Sequence, residues 1–146
     1  SVEYHMDNNE KLRDRIKRSL ENASSTIELK TKIEQDISNI MNLVYELTNG
    51  EIGFDVVNNA PVNPKFEGCN KLIFLKKTSV NFPYGFHFIG YSLHNQTGYP
   101  VSVETETQYF DCDNESELND VIASIIEEKS LQIIQLMSEK IDDIPF

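Results

Sequence analysis

Positive charge is scarce in this sequence. Thirteen Lys and Arg stand against twenty-four Asp and Glu, which gives the 146 residues a formal net charge of −11. Direct binding of nucleic acid or of an anionic membrane requires Lys and Arg to neutralise phosphate, so we expect neither partner. The charge favours a basic protein partner, whose encounter it would speed by electrostatic steering. The alternative is that the acidity only keeps the protein in solution.

Cysteine is rare as well. Cys69 and Cys112 lie 43 positions apart without CxxC spacing, which is typical neither of a zinc site nor of a disulfide framework. One bridge in a secreted protein is the alternative to two free thiols in a reducing cytoplasm. We expect free thiols and a cytoplasmic location.

Long apolar runs and catalytic motifs are absent. No stretch reaches the roughly 18 apolar residues of a membrane span, and no phosphate-binding Gly loop, GxSxG or HExxH occurs. DCDNESELND at 111–120 resembles a calcium loop only superficially. Counted from Asp111, Ser116 and Ile122 stand at the sixth and twelfth positions, where an EF-hand requires Gly and Glu. We therefore predict no cofactor, no metal and no enzymatic activity. A third hypothesis, a small hydrolase or ligand-binding domain, would depend on Glu104 with Glu106, or on Cys69.

The chain has the length of one domain, enough to bury roughly 70% of the surface that the unfolded chain exposes. We predict a single α+β domain over residues 7–146. Its parts are a helical region at 7–50, a sheet at 51–111 and a second helical region at 114–142. Residues 1–6, SVEYHM, end in a Met before a polar run, so we interpret them as a leader ahead of a natural start at Met6.

Residues 8–48 carry a helical pattern, because alternate steps of four and three residues follow one unbroken a/d register. Two structures fit: one long, bent helix, or a hairpin broken at NASST, where Ser25 and Glu28 form a capping box. We expect two helices or one strongly bent helix, since an isolated helix of this length would need a partner. The second functional hypothesis is therefore a homodimer or larger assembly. Its predicted seam is Ile33, Ile37, Ile40, Val44 and Leu47.

Strand patterns and a final helix follow. The candidate strands are residues 51–57, 71–78, 81–93 and 99–110. Asn114 with Glu117 predicts the cap of a helix near 115–141. This order predicts a four-stranded antiparallel sheet with helices packed on one face.

Aromatic side chains crowd the third strand, NFPYGFHFIGYSL. A five-residue turn at 94–98 would place Leu93 opposite Tyr99. The odd positions then form the core, and the even positions place aromatic rings beside polar and acidic side chains. A slip of one residue would destroy this arrangement. The predicted pairs are Phe88 with Glu104, Phe86 with Glu106 and Tyr84 with Gln108.

A surface of aromatic rings and carboxylates suits a basic protein, since rings provide contact area and carboxylates pair with Lys or Arg. The first hypothesis is a small acidic protein that inhibits a basic protein by occlusion, as immunity proteins and phage inhibitors of host defence do. Its predicted partner-binding residues are Tyr84, Phe86, Phe88, Glu104, Glu106 and Gln108. The alternatives are that another element covers the rings, or that they line a small-ligand pocket.

Overall fold

A computed structural model describes residues 2–141, with side chains from residue 7 onward, and has the predicted α+β fold. The strands form one antiparallel sheet in the order of the chain, β1-β2-β3-β4-β5. Both helices contribute to a single core on one face of the sheet. In the described part of the chain, neither helix has an apolar stretch long enough to cross a membrane. The elements are α1 (Val2–Leu47), β1 (Ile52–Asn58), a 3-10 turn (Pro64–Phe66), β2 (Lys71–Lys77), β3 (Gly85–His94), β4 (Gly98–Glu104), β5 (Tyr109–Cys112) and α2 (Glu115–Ser138).

The N-terminal helical region is one unbroken helix, which is the long-helix alternative of the two that the sequence allowed; the hairpin broken at NASST does not form. α1 spans 46 residues, and the Thr26 hydroxyl donates to the carbonyl of Asn22 (3.0 Å) within it. The sheet holds the C-terminal half of α1, where Ile33, Ile37 and Met41 are buried. Once that half is formed, each further residue adds one backbone hydrogen bond, which favours propagation over a new helix start.

The predicted fourth strand is two strands, and the sheet has five strands rather than four. The Thr105 hydroxyl accepts hydrogen bonds from the backbone N–H groups of Thr107 (3.3 Å) and Gln108 (3.0 Å). The backbone N–H of Thr105 donates to the Gln108 carbonyl (2.9 Å), and this hydrogen bond closes a tight turn. Local bonding of this kind competes with a straight strand. The pattern ETET, which alternates as a strand does, conceals the turn.

The register between β3 and β4 differs by two residues from the prediction. Leu93 lies opposite Val101 and Tyr91 opposite Val103, and His94 pairs with Gly98. Gly98 has a φ of 75°, a left-handed conformation that suits a shorter hairpin loop with a bulge. A two-residue shift preserves the two faces of the sheet. Ile89, Tyr91 and Leu93 are therefore on the core face, as predicted.

The loop between β1 and β2 covers part of the other face of the sheet. Buried Asn59 organises this loop: its amide donates to the carbonyls of Phe66 (2.8 Å) and Cys69 (2.7 Å), and its side-chain oxygen accepts from the N–H of Asn63 (2.8 Å). Phe66, Cys69 and Leu72 form a second, small core. A Cβ atom at Gly90 would lie 2.7 Å from the sulfur of Cys69, so this position requires glycine for the loop to pack against the sheet.

We expect both thiols to be nearly inert in the folded protein. Burial, together with a hydrogen bond to the Glu104 carboxylate (3.1 Å), raises the pKa of Cys69 to about 12. Burial also raises the pKa of Cys112 to about 11. Because the thiolate is the reactive form, dithionitrobenzoate at pH 8 should label neither residue, and should label both in denaturant. Rapid labelling of the native chain would contradict the packing at that cysteine.

The predicted cap of α2 is confirmed, and the end of α1 has a conformation typical of helix termini. The side chain of Asn114 accepts a hydrogen bond from the N–H of Glu117 (2.9 Å) and caps α2. Gly50, just beyond α1, has a φ of 78°, the left-handed conformation expected where a helix ends.

Candidate functional site

The predicted aromatic surface on β3 does not form as expected. Ile73 of β2 lies opposite Ile89, whereas the next residue, Phe74, lies opposite His87, so Phe88 is the extra residue of a β-bulge. Its side chain is 1% exposed and belongs to the main core. Phe88 is therefore not part of an exposed surface.

The bulge also exchanges the faces of the residues that precede it. Tyr84 and Phe86 pack partly buried against the main core. His87 points to the other face, with its ring 5.3 Å from Phe74 and 6.4 Å from Phe66 between centroids. The predicted pairs of Tyr84, Phe86 and Phe88 with polar residues of the next strand are consequently wrong.

The three polar residues predicted to face those rings have other neighbours. Glu104 accepts the hydrogen bond from the Cys69 thiol, Glu106 forms an ion pair with Lys65 (3.4 Å), and Gln108 lies exposed in the turn after β4. The six predicted binding residues do not form one surface. Whether any of them contacts a partner stays a prediction.

A cleft of about 450 Å³ does bring three of the six together. Phe86, Phe88 and Glu106 line it beside His87 and Lys129. β4 ends at Glu104, which pairs with Gly90, so residues 85–89 of β3 have no partner in β4. Aromatic rings beside one carboxylate and two Lys side chains are the kind of lining that small ligands use, but the small-ligand alternative from the sequence stays a prediction.

The predicted oligomer seam is largely occupied within the chain. Ile33, Ile37 and Val44 are buried in the main core and Ile40 packs against it, whereas Leu47 is 83% exposed. The periodicity of these residues is explained by the chain's own sheet. A homodimer stays a prediction, but it would have to use another part of α1.

A different surface concentrates the negative charge. Between Lys77 and Lys129 the chain contains no Lys or Arg but nine Asp and Glu. This stretch forms β3, β4, β5 and the first half of α2. Seven of the nine carboxylates lie in the shorter stretch 104–120, at the end of the sheet where β5 is the edge strand. The net charge of the chain is therefore strongly localised.

We call five residues of this region the acidic edge. They are Tyr109, Asp111, Asp113, Glu117 and Asp120, and all five are exposed. Tyr109 is 58% exposed, and its hydroxyl donates to the Asp111 carboxylate (2.9 Å), which also accepts from Ser102 (3.3 Å). The Glu117 carboxylate accepts from the N–H of Asp113 (2.7 Å). Asp120 lies three residues further along α2, on a neighbouring position of the helix surface.

Helix electrostatics explain only part of this charge. Carboxylates in the first turn of a helix are stabilised by its dipole, which accounts for Glu115 and Glu117 of α2. Asp111 and Asp113 precede the helix, and Asp120 lies beyond its first turn. Among the side chains that the structure describes, no Lys or Arg forms an ion pair with any of the four carboxylates of the acidic edge, whereas Glu115 at its border pairs with Lys32 (3.4 Å).

Sequence reasoning missed the acidic edge because it used the total charge and a hairpin register. The signal that could have found it is the distribution of Lys and Arg along the chain. A long segment without either, which also carries nine carboxylates, predicts a local surface rather than a diffuse charge.

Comparisons with protein-family models, with curated proteins and with solved structures find no match to this chain.

Proposed function

We propose that this chain is a small acidic protein-binding module of the cytoplasm that captures a basic protein and inhibits it by occlusion. The acidic edge carries the proposal, because its four carboxylates are exposed and without a cationic partner in the described part of the chain. Immunity proteins and phage inhibitors of host defence are the functional class that such a module would join.

The chemistry of the acidic edge supports a protein partner. Exposed Tyr109 lies directly beside Asp111, so an Arg of the partner could stack on the ring and pair with the carboxylate. Tyrosine is among the residues enriched at binding hot spots. The mixed aromatic and acidic surface expected on β3 is thus available on β5, on different residues.

Localised charge also provides the means of inhibition. A surface of one sign steers an oppositely charged protein toward itself and raises the association rate. Once docked, the body of the domain would cover the basic surface with which the partner binds its own target. Net acidity serving only solubility would require no such local concentration.

Two variants with equal net charge test this proposal. The first neutralises the acidic edge and the second neutralises four exposed carboxylates elsewhere that form no ion pair among the described side chains. The test variant is Asp111→Asn, Asp113→Asn, Glu117→Gln and Asp120→Asn. The control variant is Glu28→Gln, Glu46→Gln, Glu51→Gln and Glu67→Gln.

Each protein is immobilised and exposed to lysate of the organism that encodes it, at low and at high salt, with mass spectrometry as the readout. We expect wild type and control to retain the same basic protein at low salt and to release it at high salt. The test variant should bind the purified partner more weakly by on the order of tenfold to a hundredfold. Equal weakening in both variants, or no basic protein retained, would contradict the proposal.

A further inference from the structure

The N-terminal half of α1 leaves the body of the protein. The Thr26 hydroxyl, 3.2 Å from the Gln96 carbonyl of the β3–β4 turn, lies at the point of departure. Every described side chain from residue 7 to residue 25 is exposed. We call residues 7–25 the arm, which extends for about 28 Å at 1.5 Å per residue. Propagation from the supported half of α1 forms the arm, and a covering partner would add tertiary contacts that the arm lacks in the single chain.

An apolar stripe runs along the arm and continues to Ile27, and no part of the described chain covers it. Leu12, Ile16, Leu20 and Ile27 are between 51% and 66% exposed. At 100° per residue these four and Ala23 fall within an arc of about 80° on the helix. A stripe this narrow has the width of a two-helix seam rather than of a helix buried in a core.

Four of the five stripe residues are arranged symmetrically about the midpoint between Ser19 and Leu20, and Leu20 itself falls opposite Ser19. When a second, identical helix runs antiparallel to the first, Leu12 therefore lies opposite Ile27 and Ile16 lies opposite Ala23 of the second helix. A two-fold symmetric dimer requires a surface that is complementary to itself in this way. From this symmetry we infer that the arm pairs with the arm of a second copy as an antiparallel two-helix coil.

The charges of the flanking residues agree with that pairing. In the same register, Arg13 lies opposite Thr26, Arg15 opposite Ser24 and Lys17 opposite Asn22 of the second copy. No cation of the arm meets another cation across the seam, so the pair incurs no direct like-charge repulsion.

The distribution of charge selects the antiparallel orientation. The arm contains five Lys and Arg against four Asp and Glu, whereas residues 26–141 contain eight against seventeen. A parallel pair would hold two strongly acidic bodies side by side. An antiparallel pair places the bodies at opposite ends of the coil, beyond a Debye length of about 8 Å at physiological salt, and brings together the nearly neutral arms.

A groove on the body continues the stripe. Ile27, Lys30, Thr31, Glu34 and Ser38 line a depression of about 390 Å³ on the outer side of α1. In the antiparallel register residues 8–12 of the second arm come to lie along the Ile27, Lys30 and Thr31 end of this groove. The seam thus extends past the arm onto the part of α1 that the sheet supports.

The oligomeric state of the full chain tests the inference. Sedimentation of wild type from micromolar concentration upward should give twice the chain mass of 16.8 kDa. Ile16→Asp should reduce the mass to that of one chain, because it places a carboxylate in the middle of the seam. Ser25→Asp adds the same charge to the opposite side of the helix and should leave the dimer intact. A wild type that stays monomeric, or a dimer that survives Ile16→Asp, would overturn the inference.

Cysteine crosslinking tests the orientation. Cys69 and Cys112 are buried, so only newly introduced thiols on the exposed part of α1 can form a disulfide between two copies. In an antiparallel pair, the double variant Leu12→Cys with Ile27→Cys should form a covalent dimer on oxidation, and neither single variant should. Rapid crosslinking of Leu12→Cys alone would demonstrate a parallel pair and overturn the proposed register.

Discussion

Replacing Phe88 with Ala should lower the free energy of unfolding by about 3–5 kcal/mol, the usual cost of removing a buried Phe ring. Phe88 is 1% exposed in the main core, between the sheet and the helices. A domain of this size has about 5–15 kcal/mol of total stability, so the variant would lose a large fraction of it. Urea denaturation followed by circular dichroism measures the change.

Phe82→Ala is the matched control for Phe88→Ala. Phe82 belongs to the same aromatic stretch, but its ring is only half-buried, precedes β3 and contacts Tyr84 edge-on (6.3 Å between centroids). We expect a cost of about 1 kcal/mol or less, as for a substitution outside the core. Equal costs for the two variants would show that the bulge does not bury Phe88, and would return it to the predicted binding surface.

The same stretch shows how far alternation in a sequence predicts a sheet. Ile89, Tyr91 and Leu93 repeat with the period of two that strands require, and the structure places all three on the core face. The prediction failed at Phe88 because both it and Ile89 are apolar, so the pattern FHFI fits a straight strand and a bulged strand equally well. A bulge depends on pairing with β2, which local pattern does not contain.

The sequence left one long helix and a broken hairpin open for a related reason. NASST contains good capping residues, and Ser or Thr within a helix can instead donate to the carbonyl four residues earlier, as Ser19 does to Arg15 (3.0 Å). Which occurs depends on what holds the rest of the helix, and here it is the packing of Ile33 and Ile37 on the sheet. The unbroken a/d register of apolar and small residues correctly indicated that one helix continues through NASST.

For the candidate site, the kind of partner rests on composition and stays a prediction, and the strand pattern did not give the positions of an exposed surface. The net charge of −11 led to a basic partner, a proposal that the acidic edge supports. The positions chosen on β3 depended on a register that Gly98 and the bulge both changed. The distribution of Lys and Arg along the chain does not depend on register, which makes it the more robust signal for a surface.

The second large effect is expected at Asn59, which holds the loop over the second face of the sheet. Asn59→Ala removes three hydrogen bonds and leaves the carbonyl of Cys69 and the N–H of Asn63 without a side-chain partner, whereas the Phe66 carbonyl still accepts from the N–H of Cys69 (3.2 Å). An unsatisfied buried polar group costs about 1–3 kcal/mol, so keeping the loop closed around the gap would cost several kcal/mol. Releasing the loop costs only the burial of a small cluster, chiefly Phe66, Cys69 and Leu72. We expect release to win, with a loss of about 2–4 kcal/mol.

Thiol labelling distinguishes release of this loop from general unfolding. In Asn59→Ala, dithionitrobenzoate should label Cys69 under native conditions, because opening the loop removes its burial and its contact with Glu104. Cys112 lies in the main core and should stay protected. Asn63→Ala is the control, since its side chain accepts a single bond from the N–H of Lys65 (3.0 Å) at the exposed side of the loop. Labelling of both cysteines together would show that the loop and the main core unfold as one unit, whereas protection of both would show that Asn59 does not hold the loop closed.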